Sequence, residues 1–123
     1  MKTIEQEFAE KVYEKVAAHK GKADVNQYGS MAHKRPILVQ TAGLAEALAF
    51  VESRGKSSDK TLLEDLAQVV CNKSMKDFGE DSRSADLQAY IYLTRRTMLA
   101  LKWFKRFAQS VLGIDNTEEG VPS

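Results

Sequence analysis

The sequence predicts an all-α fold, a compact bundle of four to five helices with a long C-terminal helix. Only two prolines occur, and the stretches between glycines are rich in alanine, leucine, glutamate, lysine and glutamine, the best helix formers. No strand-like alternation of polar and apolar residues interrupts them. With 43% hydrophobic and 28% charged residues, the 123-residue chain has the balance of one globular domain, expected over 1–113 with a flexible tail over 114–123.

The first two helices follow from apolar spacing and helix-end signals. An apolar side chain recurs every four residues from Ile4 to Val16, which predicts an amphipathic helix ending near Gly21. Asp24 is placed to cap a second helix, which Pro36 is expected to interrupt or kink near Arg35 because proline cannot donate a helical hydrogen bond.

A third helix is expected to begin at Pro36 and to end at Gly55, which lies where a C-terminal cap belongs. Ser57, Ser58 and Asp59 each offer an N-cap to a fourth helix. The apolar stripes of these two helices are Ile37, Thr41, Leu44, Leu48 and Val51 for the third, and Leu62, Leu66 and Val69 for the fourth.

The last helix is the longest. We expect a polar loop over Ser74–Ser82, with Ser82 or Ser84 capping a helix that runs to about Leu112. At about 100° per residue, one side of this helix is apolar and should face the core. That side consists of Tyr90, Leu93, Thr97, Leu101, Phe104, Ala108 and Val111.

The opposite side of the last helix carries a run of cations. Arg95, Lys102 and Arg106 lie within about 40° of one another, with Lys105 and Arg96 beside them, and we call these five residues the basic ridge. No acidic residue occurs between residues 87 and 114, although exposed helix faces usually mix both signs to form pairs at i and i+4. A solvated face is one explanation of the ridge, and an external anion such as a nucleic acid backbone is the other.

A second pair of cations and two aromatic residues are also candidates for contact with a nucleic acid. Lys34 and Arg35 follow His33 at the expected helix junction, where unpaired backbone N–H groups would also attract phosphate. Tyr92 and Trp103 lie nearer the basic ridge than the core side, so each either stacks on a base, anchors a protein contact or covers the core edge.

Catalytic, metal and cofactor motifs are missing from the sequence. The single cysteine, Cys71, lies in an apolar helical run typical of a core residue, and the two histidines lack metal-ligand spacing. No phosphate-cradling glycine motif or nucleophile elbow occurs. We therefore expect no metal, no cofactor and no enzyme activity. The absence of a long apolar run and of a cysteine pair also predicts a cytoplasmic protein without membrane partners.

Two longer phrases resemble a known family. These are the proline-opened segment from Arg35 to Phe50, with its Gly43-Leu44 step and Ala-Leu-Ala-Phe end, and the segment from Trp103 to Ala108. They resemble the small helical subunit (the fifth Cmr subunit) of type III-B CRISPR effector complexes. Ala42 stands where family members commonly have a polar residue. The small subunit of type III-A complexes is the nearest confusable family.

The resemblance implies a non-catalytic subunit that stacks head to tail with copies of itself. Its other partners would be the repeating backbone subunits, the large subunit, and the guide and target RNA, whose phosphates it would contact without reading bases. The family supplies no RNA-binding residues at motif positions, so the candidates come from the charge pattern alone. They are Arg95, Arg96, Lys102, Lys105, Arg106, Lys34 and Arg35.

Two other hypotheses compete with this one. A helical adaptor or homo-oligomer that binds only protein would use the basic ridge to dock on an acidic partner. A cryptic hydrolase would need a metal-dependent activity that no residue pattern supports. Salt-dependent RNA binding separates the first hypothesis from the RNA-binding one.

Overall fold

A computed structural model describes residues 1–115, and within that range it contains six helices and no strand. The all-α bundle with a long last helix is confirmed, and the helix count exceeds the expected four to five. The helices are α1 (Ile4–Ala17), α2 (Val25–Ala42), α3 (Leu44–Arg54), α4 (Ser57–Cys71), α5 (Met75–Ser84) and α6 (Leu87–Ser110).

Helix α1 forms as the apolar spacing predicts. Thr3 and Gln6 make a reciprocal capping box at its N-terminus, and Phe8, Val12 and Val16 are buried. The helix ends at Ala17, before the expected end near Gly21, whose φ of 84° belongs to the following turn. The buried side of α1 packs against α6 and α4.

The expected break at Pro36 is wrong, because α2 continues through this proline and ends at Ala42. Tyr28, Ala32 and Val39 are buried on both sides of the proline, so tertiary packing offsets the lost helical hydrogen bond. The chain turns at Gly43 instead, where φ is 90°, a conformation that favours glycine. The third predicted stripe is therefore divided between α2 and α3.

The expected loop over Ser74–Ser82 is also wrong, because these residues form most of α5. The Ser74 hydroxyl accepts a hydrogen bond from the backbone N–H of Asp77, and the fully buried Phe78 anchors the helix to the core. The polar composition of this segment did not reveal the helix, whose buried residues are Phe78, Gly79 and Ser82. The cap of α6 is Asp86, rather than Ser82 or Ser84.

Helix α6 provides the centre of the bundle and packs against α1, α2 and α4. Its predicted core side is confirmed. The fully buried members are Thr97, Leu101, Phe104 and Ala108, while Tyr90, Leu93 and Val111 are partly buried against the core. Because this side is buried along most of the helix, the opposite side is held at the surface.

The chain just beyond α6 returns to α2. His33 Nε2 lies 2.9 Å from the Ile114 carbonyl oxygen, and a Cβ on Gly29 would lie 2.6 Å from Ile114 Cδ1. Glycine at position 29 therefore permits this close approach. Of the tail expected over 114–123, residues 116–123 lie outside the described residues.

A buried polar cluster joins the α1–α2 turn to α2 and α4. The rings of His19 and Tyr28 stack with centroids 3.7 Å apart. The Tyr28 hydroxyl donates to Asp65 Oδ2 at 2.7 Å, and His19 Nε2 lies 3.1 Å from the same oxygen. Burial, followed by the charge of Asp65, raises the pKa of Tyr28 far above its usual range.

This raised pKa predicts a loss of stability in alkali. Folded Tyr28 keeps its proton while unfolded Tyr28 loses it above its ordinary pKa of 10.0, so stability present below that pH is lost as the pH rises. The loss attributable to Tyr28 approaches about 1.4 kcal/mol per pH unit. Urea unfolding from pH 9 to 11 should show a shallower decline for Tyr28→Phe than for the wild type. The exposed Tyr13→Phe serves as control, and equal slopes for wild type and Tyr28→Phe would contradict the prediction.

Candidate nucleic-acid interface

The basic ridge lies on the side of α6 that faces away from the core. Arg95 and Arg106 are exposed and Lys105 is partly exposed. Within residues 1–115, these three side chains make no hydrogen bond or ion pair. Their positive charges are therefore uncompensated by the fold, as expected from the absence of acids in this segment.

Lys102, the middle residue of the ridge, has a partner from the other end of the chain. Its Nζ lies 2.5 Å from Glu5 Oε2 on α1 and 5.4 Å from the centroid of the Trp103 ring. The hydrogen bond and charge of Lys102 lower the pKa of Glu5. Both side chains of the pair are about half exposed, so water competes with this contact.

Arg96 is a structural residue of the bundle. Its Nη2 donates to the Val70 carbonyl oxygen at 2.7 Å, and its guanidinium lies 5.0 Å from the centroid of the Phe8 ring. The same guanidinium also contacts the ring and hydroxyl of Tyr92. Arg96 therefore joins α6 to α1 and to the C-terminal end of α4, and it uses two of its five N–H donors within the protein.

The segment from His33 to Arg35 does not lie at a helix junction, contrary to expectation, because it is in the middle of α2. His33 is buried, while Lys34 is exposed at the same level of the helix. Arg35 Nε lies 3.1 Å from Asp59 Oδ1 on α4, and its guanidinium lies 5.7 Å from the centroid of the Phe50 ring. Lys34 and Arg35 line a cavity between α2, α3 and α4, and so do not extend the ridge of α6.

The two aromatic residues beside the ridge differ in their environment. Trp103 is partly buried against the core, with its ring centroid 5.5 Å from that of Phe107, so it covers the core edge. Tyr92 is 61% exposed beside Arg96. Of the two aromatic rings, Tyr92 is the one that presents most of its surface to solvent.

Comparison with known proteins identifies the family. The family model described as CRISPR-associated protein (Cas_Cmr5) matches residues 4–111, which is nearly all of the described chain. The chain belongs to the Cmr5 family. The resemblance found in the two sequence phrases is thereby confirmed.

One curated relative and one solved structure, both from Thermus thermophilus, show how far the similarity extends. One, named CRISPR system Cmr subunit Cmr5, is 48% identical over 113 residues, which cover 91% of this chain and 98% of the relative. The other is a crystal structure of a CRISPR-associated Cmr5 family protein, with a TM-score of 0.87 and 46% identity over 91% of this chain and 99% of that one. The helix order described above is therefore a Cmr5 fold along nearly its whole length.

The single cysteine and the possible metal ligands were the residues considered for chemistry. Cys71 ends α4, where it is half-buried and donates to the Ala67 carbonyl oxygen, and burial raises the pKa of its thiol. Among residues 1–115, no group of three His, Cys, Asp or Glu side chains is arranged to hold a metal ion. No helix in that part of the chain is long and apolar enough to cross a membrane.

The candidates chosen from the sequence did not include two cations that the fold brings together with Lys34. Arg54 ends α3 and Lys56 precedes α4, and both are exposed at the cavity beside Lys34 and Arg35. These residues are about 20 positions from Lys34 in the sequence, and only the packing of α2 against α3 and α4 makes them neighbours. The sequence does contain one indication of this site, because Arg54 and Lys56 flank Gly55 at the end of α3.

Proposed function

We propose that this protein is a non-catalytic small subunit of a type III-B CRISPR (Cmr) ribonucleoprotein effector that acts in antiviral defence in the cytoplasm. The observation that carries the proposal is the match to the Cmr5 family over residues 4–111, together with 48% identity to a protein named as a Cmr subunit. Similarity at that level over nearly the full length supports a shared place in the assembly.

The basic ridge is the surface that would contact the backbone of the guide and target RNA. Arg95, Lys105 and Arg106 carry charges without partners in residues 1–115, and phosphates would supply the missing counterions. Lys102 can join them, because an exposed ion pair such as that with Glu5 contributes little and can open. A single rigid helix holds all four cations, which suits contacts to a regularly spaced backbone.

Arg96 and Arg35 have a different place in this proposal. Each uses its guanidinium to hold helices together, Arg96 through Val70 and Phe8, and Arg35 through Asp59. In this proposal, Arg96 holds α6 against α1 and α4, and Arg35 holds α2 against α4, so that the neighbouring surface cations keep their positions. Contact with RNA is then made by the other four residues of the ridge and by Lys34, which is exposed.

Protein partners would be bound through exposed apolar side chains at the start of α6. Leu87 is 74% exposed and Ile91 is 40% exposed one turn later, next to Tyr92. Apolar side chains grouped in this way are typical of protein interfaces. They support assembly with backbone and large subunits and with further copies of this chain in a head-to-tail stack, which requires two different patches on each copy.

Copurification tests this function directly. A tagged chain expressed in its native host is expected to retain Cmr backbone and large subunits together with guide RNA, and the proteins should remain associated after removal of unprotected RNA. Recovery of an unrelated acidic protein with no CRISPR subunit and no guide RNA would overturn the proposal in favour of the protein-only adaptor.

A further inference from the structure

A cavity of about 350 Å³ lies between α2, α3 and the start of α4, away from the ridge of α6. Its volume is at the small end of the range for ligand pockets, roughly 300 to 1,000 Å³, which suits one small charged group and its attachment better than a duplex. The side chains that give it chemical character are Lys34, Arg35, Phe50, Arg54, Lys56 and Asp59.

The charge of the cavity lining is strongly positive. Asp59 is its one carboxylate, and Arg35 compensates it at 3.1 Å. Lys34, Arg54 and Lys56 make no ion pair within residues 1–115 and are exposed around the opening. The cavity therefore has an excess of three cations without a fixed counterion.

The N-terminus of α4 adds backbone donors to the same place. The first helical hydrogen bond runs from the Lys60 N–H to the Lys56 carbonyl oxygen, which leaves the N–H groups of residues 57–59 without a helical acceptor. No side chain caps this end of the 15-residue helix. Unpaired N–H groups and the positive end of the helix dipole favour an anion at such a terminus.

Ser58 adds a hydroxyl group to the lining of the cavity. The residue is only 6% exposed, and its hydroxyl makes no hydrogen bond within the part of the chain described. The hydroxyl oxygen itself keeps some accessible surface, so a bound group can reach it. An anion held at the helix terminus would accept a hydrogen bond from this hydroxyl.

We propose that this cavity binds one phosphate group of an RNA strand, with the nucleoside beside Phe50. Lys34, Arg54 and Lys56 supply the charge, while Ser58 and the first N–H groups of α4 supply directed hydrogen bonds. Phe50 is 42% exposed, with Arg35 near its ring, and provides an apolar wall for a sugar or base. The assignment to RNA rests on the proposed function, whereas the phosphate chemistry rests on the cavity itself.

Amide chemical shifts of the isolated protein test the site. Three titrations at constant ionic strength would use inorganic phosphate, adenosine monophosphate and a short single-stranded oligoadenylate. We expect all three to shift the amide signals of Ser57, Ser58 and Asp59, with the oligonucleotide binding most tightly because it offers several phosphates and bases to the site.

Two variants and one control make the test specific. Arg54→Ala combined with Lys56→Ala should weaken oligonucleotide binding about tenfold and lower its salt slope by about 1 to 2. Ser58→Ala, which removes a hydroxyl without a partner, should weaken it up to about tenfold without loss of the fold. Arg95→Glu with Arg106→Glu is the control and should leave the shifts caused by inorganic phosphate unchanged.

Shifts confined to α6, or shifts at Ser57 and Asp59 that survive both cavity variants, would overturn the site. A response to adenosine monophosphate without any to oligoadenylate would overturn its assignment to RNA. Failure of copurification with CRISPR subunits would overturn the proposed function while leaving the phosphate shifts in place, so the two proposals fail separately.

Discussion

Reversal of the charges of Arg95, Lys105 and Arg106 to glutamate is expected to weaken RNA binding by the isolated protein about 100-fold at low salt. Each phosphate contact contributes about 0.7 to 0.9 to the slope of log affinity against log salt, so three lost contacts should lower that slope by about 2 to 3. The fold should persist, because these side chains make no hydrogen bond or ion pair within residues 1–115. Fluorescence anisotropy with an RNA duplex at several salt concentrations measures both quantities.

The matched control for the triple variant changes net charge by the same amount elsewhere. Lys20 and Lys22 lie in the turn after α1 and Lys76 lies on α5, and all three side chains are exposed and make no hydrogen bond or ion pair within residues 1–115. Their replacement by glutamate should leave most of the affinity. An equal loss in both triple variants would show that RNA responds to overall charge, which contradicts a defined contact through α6.

Arg35→Ala is expected to destabilise the fold by about 3 kcal/mol. The Asp59 side chain is only 6% exposed and the Arg35 side chain 13%, so removal of the arginine leaves a buried carboxylate without its counter-charge. Urea unfolding at pH 7 measures the change. Lys34→Ala is the control, because Lys34 is adjacent to Arg35 but exposed, and it should lower the free energy of unfolding by less than about 0.5 kcal/mol.

The cost of Arg35→Ala should also depend on pH. Burial raises the pKa of Asp59, while the charge of Arg35 opposes that rise, so the alanine variant should raise this pKa further. A raised folded-state pKa of an acid gives stability that is present at low pH and lost as pH rises through it. The difference between variant and wild type should therefore shrink as pH falls toward 4, and a constant difference would contradict the role of Asp59.

The faces of α6 were predictable because the signal is local and long. Over a helix of 24 residues, the apolar side chains recur with helical spacing and the cations fall opposite them. Other elements were decided by contacts between distant residues. The buried Tyr28 and Val39 carry α2 through Pro36, and the buried Phe78 turns a polar segment into α5.

The pairing of individual cations could not be predicted from local sequence. Lys102 contacts Glu5 from the opposite end of the chain, and Arg96 donates to the Val70 carbonyl oxygen. The charge pattern therefore predicted which face of α6 is basic, but it did not predict which of its cations have partners within the protein. The cavity residues were separated in the same way, since Lys34 meets Arg54 and Lys56 only through helix packing.

Site-specific photocrosslinking in the copurified complex tests the central claim, that α6 faces the RNA. Gln109 is exposed on α6 beside Arg106, and Glu80 is exposed on α5. A benzophenone amino acid at position 109 is expected to crosslink to guide or target RNA, while the same group at position 80 is not. Crosslinks to protein alone at position 109, or equal RNA crosslinks at both positions, would contradict an RNA-facing α6.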